Sequence, residues 1–299
     1  MTTRREFLKR SGAIAIGGMV IPRLSDASLF EMKRSHSVGV QLFTVMKQIS
    51  EDLNGTLKKI ADIGFTDIES AFSFNGPYYG NKPKDLKKLI ESMGMKWRAH
   101  HVLGAPFERP AGAPPMNIPK MDTLRDSYQK LVDEAAEGEV EYLVCANTPI
   151  KTLDEIKASI EVLNKTGEAC KKAGIKLAYH NHDAEFKPVE GIIPYDLFLS
   201  TTTSDIKMEL DLAWAIKGGV DPVEMFKKNK GRFPLWHVKD LDKETQKPVE
   251  IGKGTIDFKP IFDAAKESGM VYFFVEHDGA PSPIENLTTS FANLKKIIT

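Results

Sequence analysis

Four short junctions constrain the fold more than anything else in this chain. Ile63-Gly64-Phe65, Met93-Gly94-Met95, Ala173-Gly174-Ile175 and Ser268-Gly269-Met270 each close a helix-like run and open a short apolar one. Leu53, Leu57, Ile60 and Ile63 recur at helical spacing before the first junction, and Leu86, Leu89, Ile90 and Met93 before the second. A glycine just past a helix readily takes the left-handed conformation that ends it. The repeating order is helix, glycine stop, strand. It predicts strands over residues 38–43, 66–69, 96–101, 142–146, 175–180, 207–211, 235–239 and 271–276. Successive starts lie about 28 to 45 residues apart with helical sequence between them, so each strand needs a crossover and pairs in parallel with its neighbour. Eight such units in a 299-residue chain match a single closed (β/α)8 TIM barrel. The rival, an open doubly wound sheet, usually carries a glycine-rich phosphate loop after its first strand. Here that position reads Gln41-Leu42-Phe43-Thr44-Val45, with no glycine.

The barrel domain is expected over residues 36–299. Residues 1–30 are a separate matter. Arg4-Arg5 is followed by a short, glycine-containing apolar run over residues 12–22, too short to span a bilayer. The pattern resembles a twin-arginine export signal and implies a periplasmic enzyme with no stable membrane anchor. Cys145 and Cys170, the only cysteines, read as buried thiols. Lys+Arg and Asp+Glu both number 41, and no basic run follows the leader, so the electrostatic footprint of a nucleic-acid binder is absent. The stretch 104–121 holds five prolines and reads as a long loop, either a lid or an inert excursion.

The chemistry-bearing residues gather at the C-terminal ends of the predicted strands, where a barrel of this kind places its site. They are Glu69; His100-His101; His180-Asn181-His182, followed by Asp183 and Glu185; Glu209 and Asp211; His237, Lys239 and Asp240; and Glu276-His277-Asp278. Six of the seven histidines fall in these windows. Alternation along a strand puts His180 and His182 on one face, and Glu209 and Asp211 on one face. A ring of imidazoles and carboxylates converging on one mouth would repel itself unless a cation sat at its centre. The donor mixture suits one divalent ion: Mn, Zn, Co or, less well, Mg. Glu209 reads as a deeper, structural acceptor, and His277 as pointing out of the mouth. Trp214 and Trp236 read as core or pocket wall. Asp240 either orients His237 or faces solvent.

With these residues in view, the chain resembles the xylose isomerase-like TIM barrel superfamily, in the subgroup labelled sugar phosphate isomerase/epimerase. The signals are GVQLFTV, GFTDIE, YHNHDAEF, ELDLAW, LWHVKD and VEHD, spread over residues 38–278. The resemblance implies metal ligands at Asp211, His237 and Glu276. The family's strand-five glutamate falls on His180, a departure that puts the two-glutamate proton exchange of the epimerases in doubt and leaves His182 as the alternative ligand. Glu276 is the expected catalytic base, with His182 or Glu185 as its partner. Glu69, His101 and Lys239 are expected to touch substrate.

The implied activity is a divalent-metal-dependent carbohydrate isomerase or epimerase working through an enediolate on a ketose or keto-sugar. The alternative is a lyase or dehydratase eliminating from a 3-keto-glycoside or inosose; a non-catalytic sugar-binding barrel is the third reading. The expected partner is a small-molecule carbohydrate, with a homo-oligomer possible and no nucleic acid.

Overall fold

A computed structural model describes residues 37–106 and 120–298. The twin-arginine leader, His36 and the proline-rich stretch 107–119 lie outside the described residues. The described residues form ten strands: β1 Gly39–Gln41, β2 Asp67–Ser70, β3 Lys96–Val102, β4 Tyr142–Cys145, β5 Lys176–His180, β6 Lys207–Asp211, β7 Leu235–Val238, β8 Asp240–Leu241, β9 Pro248–Val249 and β10 Tyr272–Val275. Eight of them close into a barrel in the order β1-β10-β7-β6-β5-β4-β3-β2, every pair parallel. The remaining pair, β8 and β9, forms an antiparallel hairpin in the segment after β7, which the sequence did not suggest. Among the described residues no helix is long and apolar enough to cross a membrane.

The four junction glycines behave as their spacing predicts. Gly64, Gly94, Gly174 and Gly269 all hold left-handed backbone, with φ of 113, 80, 77 and 78°. β1 is shorter than expected, because the chain turns into a 3-10 helix, Leu42–Val45, as soon as the Gln41 side chain accepts the Phe43 N–H at 3.0 Å.

Alternation sorts the strand residues into two cores. Outward residues such as Val40, Ile68, Leu143, Tyr179, Leu210, Trp236 and Val275 pack against the helices. Inward residues Ala99, Tyr142, Val144, Ala178, Leu235 and Phe274 form a small apolar floor inside the barrel. Gly39 makes room for it: a Cβ there would stand 2.5 Å from the Phe274 ring and 2.6 Å from the Phe273 carbonyl oxygen. The N-terminal end is sealed by ion pairs, Arg98 bridging Asp67 at 2.6 Å and Glu141 at 2.7 Å. With the bottom plugged and the middle apolar, the C-terminal mouth is the end of the barrel that gathers buried imidazoles and carboxylates.

Candidate metal centre

One further step along each inward-facing strand row replaces the apolar floor by titratable groups. Ala99 gives way to His101, Ala178 to His180, Leu235 to His237 then Lys239, and Phe274 to Glu276. Glu69, Glu209 and Asp211 complete the set, and every one of these side chains is buried.

His237 is the hub, and its two ring nitrogens face two different clusters. Nε2 lies 2.5 Å from Glu69 Oε2 and 3.2 Å from Glu209 Oε2. Nδ1 lies 2.9 Å from Glu276 Oε2 and 3.8 Å from Asp211 Oδ2. The deeper cluster continues through Glu209, which meets His101 Nε2 at 2.6 Å and His180 Nδ1 at 3.2 Å, while Gln41 donates to Glu69 at 2.8 Å. On the mouth side, Lys239 Nζ sits among Glu276 at 2.5 Å, Asp278 at 2.5 Å and Asp211 at 2.9 Å. Among the described residues two groups could hold a metal ion, each with its donor atoms within 4.8 Å of one another: His101, His180, Glu209 and His237 below, and Asp211, His237 and Glu276 above.

The sequence-expected residues are thus brought together unequally. Asp211, His237 and Glu276 converge. His180 is buried and reaches Glu209, whereas His182 is half exposed beyond it, the two rings 5.0 Å apart. Glu69 and His101 stand in the deeper layer, paired with histidine and glutamate. Lys239 is wholly buried on carboxylates. Glu185 is directed elsewhere: its carboxylate accepts the Tyr179 hydroxyl at 2.9 Å and the His182 backbone N–H at 3.0 Å. Tyr179 faces the helix layer, against Phe198, so Glu185 is turned to the outside of the barrel and braces His182 through its backbone. Glu209 lies deep, as its position suggested, and accepts from His101 and His180 within the lower donor group. Asp240 neither touches His237 nor faces solvent; its carboxylate accepts the backbone N–H groups of Leu241, Gly252, Gly254 and Ile256.

A family model described as "Xylose isomerase-like TIM barrel" matches residues 57–297. The chain belongs to that family. Among relatives of this xylose isomerase-like barrel, an inosose dehydratase from Clostridium perfringens is 27% identical over 241 residues, 70% of this chain and 80% of the relative. Among solved structures, a sugar phosphate isomerase/epimerase from Parabacteroides distasonis is 30% identical with a TM-score of 0.74, covering 89% of this chain and 96% of that one. A xylose isomerase-like barrel from Mycobacterium smegmatis, solved with magnesium, shares the fold at 14% identity, TM-score 0.61, covering 89% of this chain and 97% of that one.

The electrostatics of this barrel show what its mouth lacks. Burial, the largest influence on His237 and His101, pulls both toward the neutral form, yet the surrounding glutamates outweigh it. His101 is pushed up to about 9, and His237 well above the usual histidine range by Glu209, Glu276 and Glu69. His180, desolvated and beside the His237 charge, is held neutral, far below that range. Burial alone would raise Glu209 and Glu276. For Glu209 the charges of His237 and His101 prevail, for Glu276 those of Lys239 and His237, and both are held low. Glu69, by burial and the Glu209 charge, and Asp211, chiefly by burial, are shifted upward: these two are under-compensated.

The same shortfall shows in hydrogen bonding. Glu69 Oε1 and Glu209 Oε1 are buried with no hydrogen-bond partner, and Asp211 Oδ2 has only the Lys239 ammonium beside it, at 2.9 Å. A buried carboxylate oxygen without a donor costs about 1–3 kcal/mol or more. Orphaned acidic oxygens beside imidazole nitrogens are the donor set of a divalent cation, so the residues present fit such an ion.

Proposed function

We propose that this barrel is a divalent-metal-dependent carbohydrate lyase, a dehydratase-type enzyme that removes a proton beside the carbonyl of a keto-sugar or inosose and expels the oxygen one carbon further on. The observation that carries the reading is the upper ligand set, Asp211, His237 and Glu276, bordered by a buried lysine and a histidine at the rim. These three would hold the ion; His180, expected as a ligand from the resemblance, belongs to the lower group, against Glu209. When bound, a zinc- or manganese-like ion polarises a substrate carbonyl and makes the neighbouring C–H acidic.

The protein's own groups supply the rest. Glu69 and Glu209 sit against Nε2 of His237 and keep its proton there, which leaves Nδ1 free to act as a ligand. Lys239 is placed to meet negative charge developing on a substrate oxygen. His182, half exposed with its backbone held by Glu185, is the group at the rim able to take or return a proton on the substrate side. Desolvation draws its pKa down, but Glu185 outweighs this and raises it, which suits an acid for the departing oxygen.

Two further observations support elimination. The inosose dehydratase relatives match the chain at 24–27% identity. A histidine also replaces the family's strand-five glutamate, removing one half of a symmetric two-carboxylate proton exchange. The isomerase/epimerase label of the Parabacteroides structure supports the second reading. Incubation with ketoses, inososes and 3-keto-glycosides in D₂O separates them. Elimination yields an enone with release of water or an aglycone; epimerisation yields deuterium in an intact sugar and would overturn the lyase reading. We further propose export to the periplasm on the twin-arginine leader.

A further inference from the structure

Lys239 poses a question the reaction alone does not answer. Its ammonium is fully buried and touches three carboxylates, more charge than one cation balances. Two of them, Asp211 and Glu276, belong to the upper ligand set. The third, Asp278, is not in that set, and its side chain is 30% exposed at the rim. The ammonium also lies 5.2 Å from the centroid of the Trp214 ring, on the face of the indole. A divalent ion gripping Asp211 and Glu276 would share both oxygens with a like-charged neighbour, which Coulomb repulsion at such range strongly disfavours.

We infer that Lys239 is a resident counter-cation for the metal ligands: it holds Asp211 and Glu276 in place while no ion is bound, and withdraws onto Asp278 and the Trp214 face when one arrives. This rests on the proposal that Asp211 and Glu276 are ligands. Three features support it. First, the ammonium contacts ligand oxygens directly. Second, a second acceptor is already in contact at 2.5 Å, so the handover needs a small side-chain movement and no new partner. Third, Lys239 follows His237 by two residues, one position past the end of β7, so the same short segment that carries a ligand also carries its substitute. Lys239 therefore sets the affinity of the site as well as its charge: the ion must displace an internal competitor, and Asp278 lowers the cost of doing so.

The test is a calorimetric titration of chelator-stripped, folded full-length protein with Zn²⁺ for wild type, Lys239→Met and Asp278→Asn. Removing the competitor is expected to tighten zinc binding roughly tenfold or more in Lys239→Met. Removing its retreat is expected to weaken binding by a similar factor in Asp278→Asn. Equal or weaker binding by Lys239→Met would overturn the inference. If that variant does not fold, Asp278→Asn decides alone, and unchanged affinity there overturns it. A wild type that binds no zinc would instead defeat the metal-site proposal, so the two failures are distinguishable.

Discussion

Replacing Glu209 by glutamine tests the deeper cluster with almost no change of shape. Glu209 is fully buried and meets His101 at 2.6 Å and His180 at 3.2 Å, with His237 at 3.2 Å. In the ion-free protein His101 titrates at about 9, against 6.5 for an unperturbed group, with desolvation opposing and Glu69 and Glu209 prevailing. A folded-state pKa raised by that much is worth about 3 kcal/mol at about 1.36 kcal/mol per unit. The sign is fixed: the stabilisation is complete below pH 6.5, where both states bind the proton, and is lost as pH rises through about 9. Glu69 is the larger cause of that shift and Glu209 the next, so the figure does not belong to Glu209 alone; breaking one side of a buried pair costs roughly 3–5 kcal/mol, and Glu209→Gln is expected to cost about 3 kcal/mol at pH 6. For a domain of this size that lowers Tm by about 6–12 °C. The assay is thermal unfolding by circular dichroism in the presence of chelator, at pH 6 and pH 9.5. The penalty should shrink at the higher pH, where His101 is neutral in wild type as well. A loss below about 1 kcal/mol at pH 6, or an equal loss at both pH values, would refute the assignment of an ionised His101–Glu209 pair.

Two other predictions probe the supports of the site. His100 faces outward from β3, bonded to Ser70 at 2.7 Å and stacked on Tyr78, and burial holds its pKa down at about 3. Its contribution is present above pH 6.5 and declines as pH falls from there toward 3, at up to about 1.4 kcal/mol per pH unit; His100→Gln should flatten the acid limb of the stability curve, measured by urea unfolding between pH 4 and 7. Asp240→Ala strips four backbone N–H groups of their acceptor and is expected to cost at least about 2 kcal/mol. It should also open the segment 250–256 to limited proteolysis, and unchanged protection would count against the anchoring role.

How much of this was legible in the sequence follows from which physical rules are local. Helix periodicity and the glycine stops are local, and Gly64, Gly94, Gly174 and Gly269 all mark helix ends in the structure. Face is local too: strand alternation put Glu209 with Asp211, and both reach His237, whereas His182 lies past the end of β5 and stands half exposed beside His180. Depth is not. Residues two apart share a face but sit in different layers of the barrel, and which layer meets which is set by the stagger between strands. That is why Glu69 and His101 stand in the deeper layer, paired with His237 and Glu209, and why His237 can meet Glu69 from across the barrel, 168 residues away. Glu185 lay in the most conspicuous motif, yet the 3-10 turn Ala184–Phe186 carries it round to Tyr179. The anchoring role of Asp240 is not local: three of its four partners come 12 to 16 residues later, in a loop with no pattern of its own. The role of Gln41, which holds Glu69, carried no sequence signal, since a lone glutamine at a strand end has none.

The central claim is that strand tips on opposite sides of this barrel pool their imidazoles and carboxylates around one divalent ion. Elemental analysis of the folded protein, equilibrated with Zn²⁺, Mn²⁺, Co²⁺ and Mg²⁺ and then desalted, tests it most directly alongside Asp211→Ala. We expect about one equivalent of a divalent metal per chain in wild type, and its loss in the variant with the fold intact by circular dichroism. A metal-free wild type, or a variant that retains the full equivalent, would contradict the account.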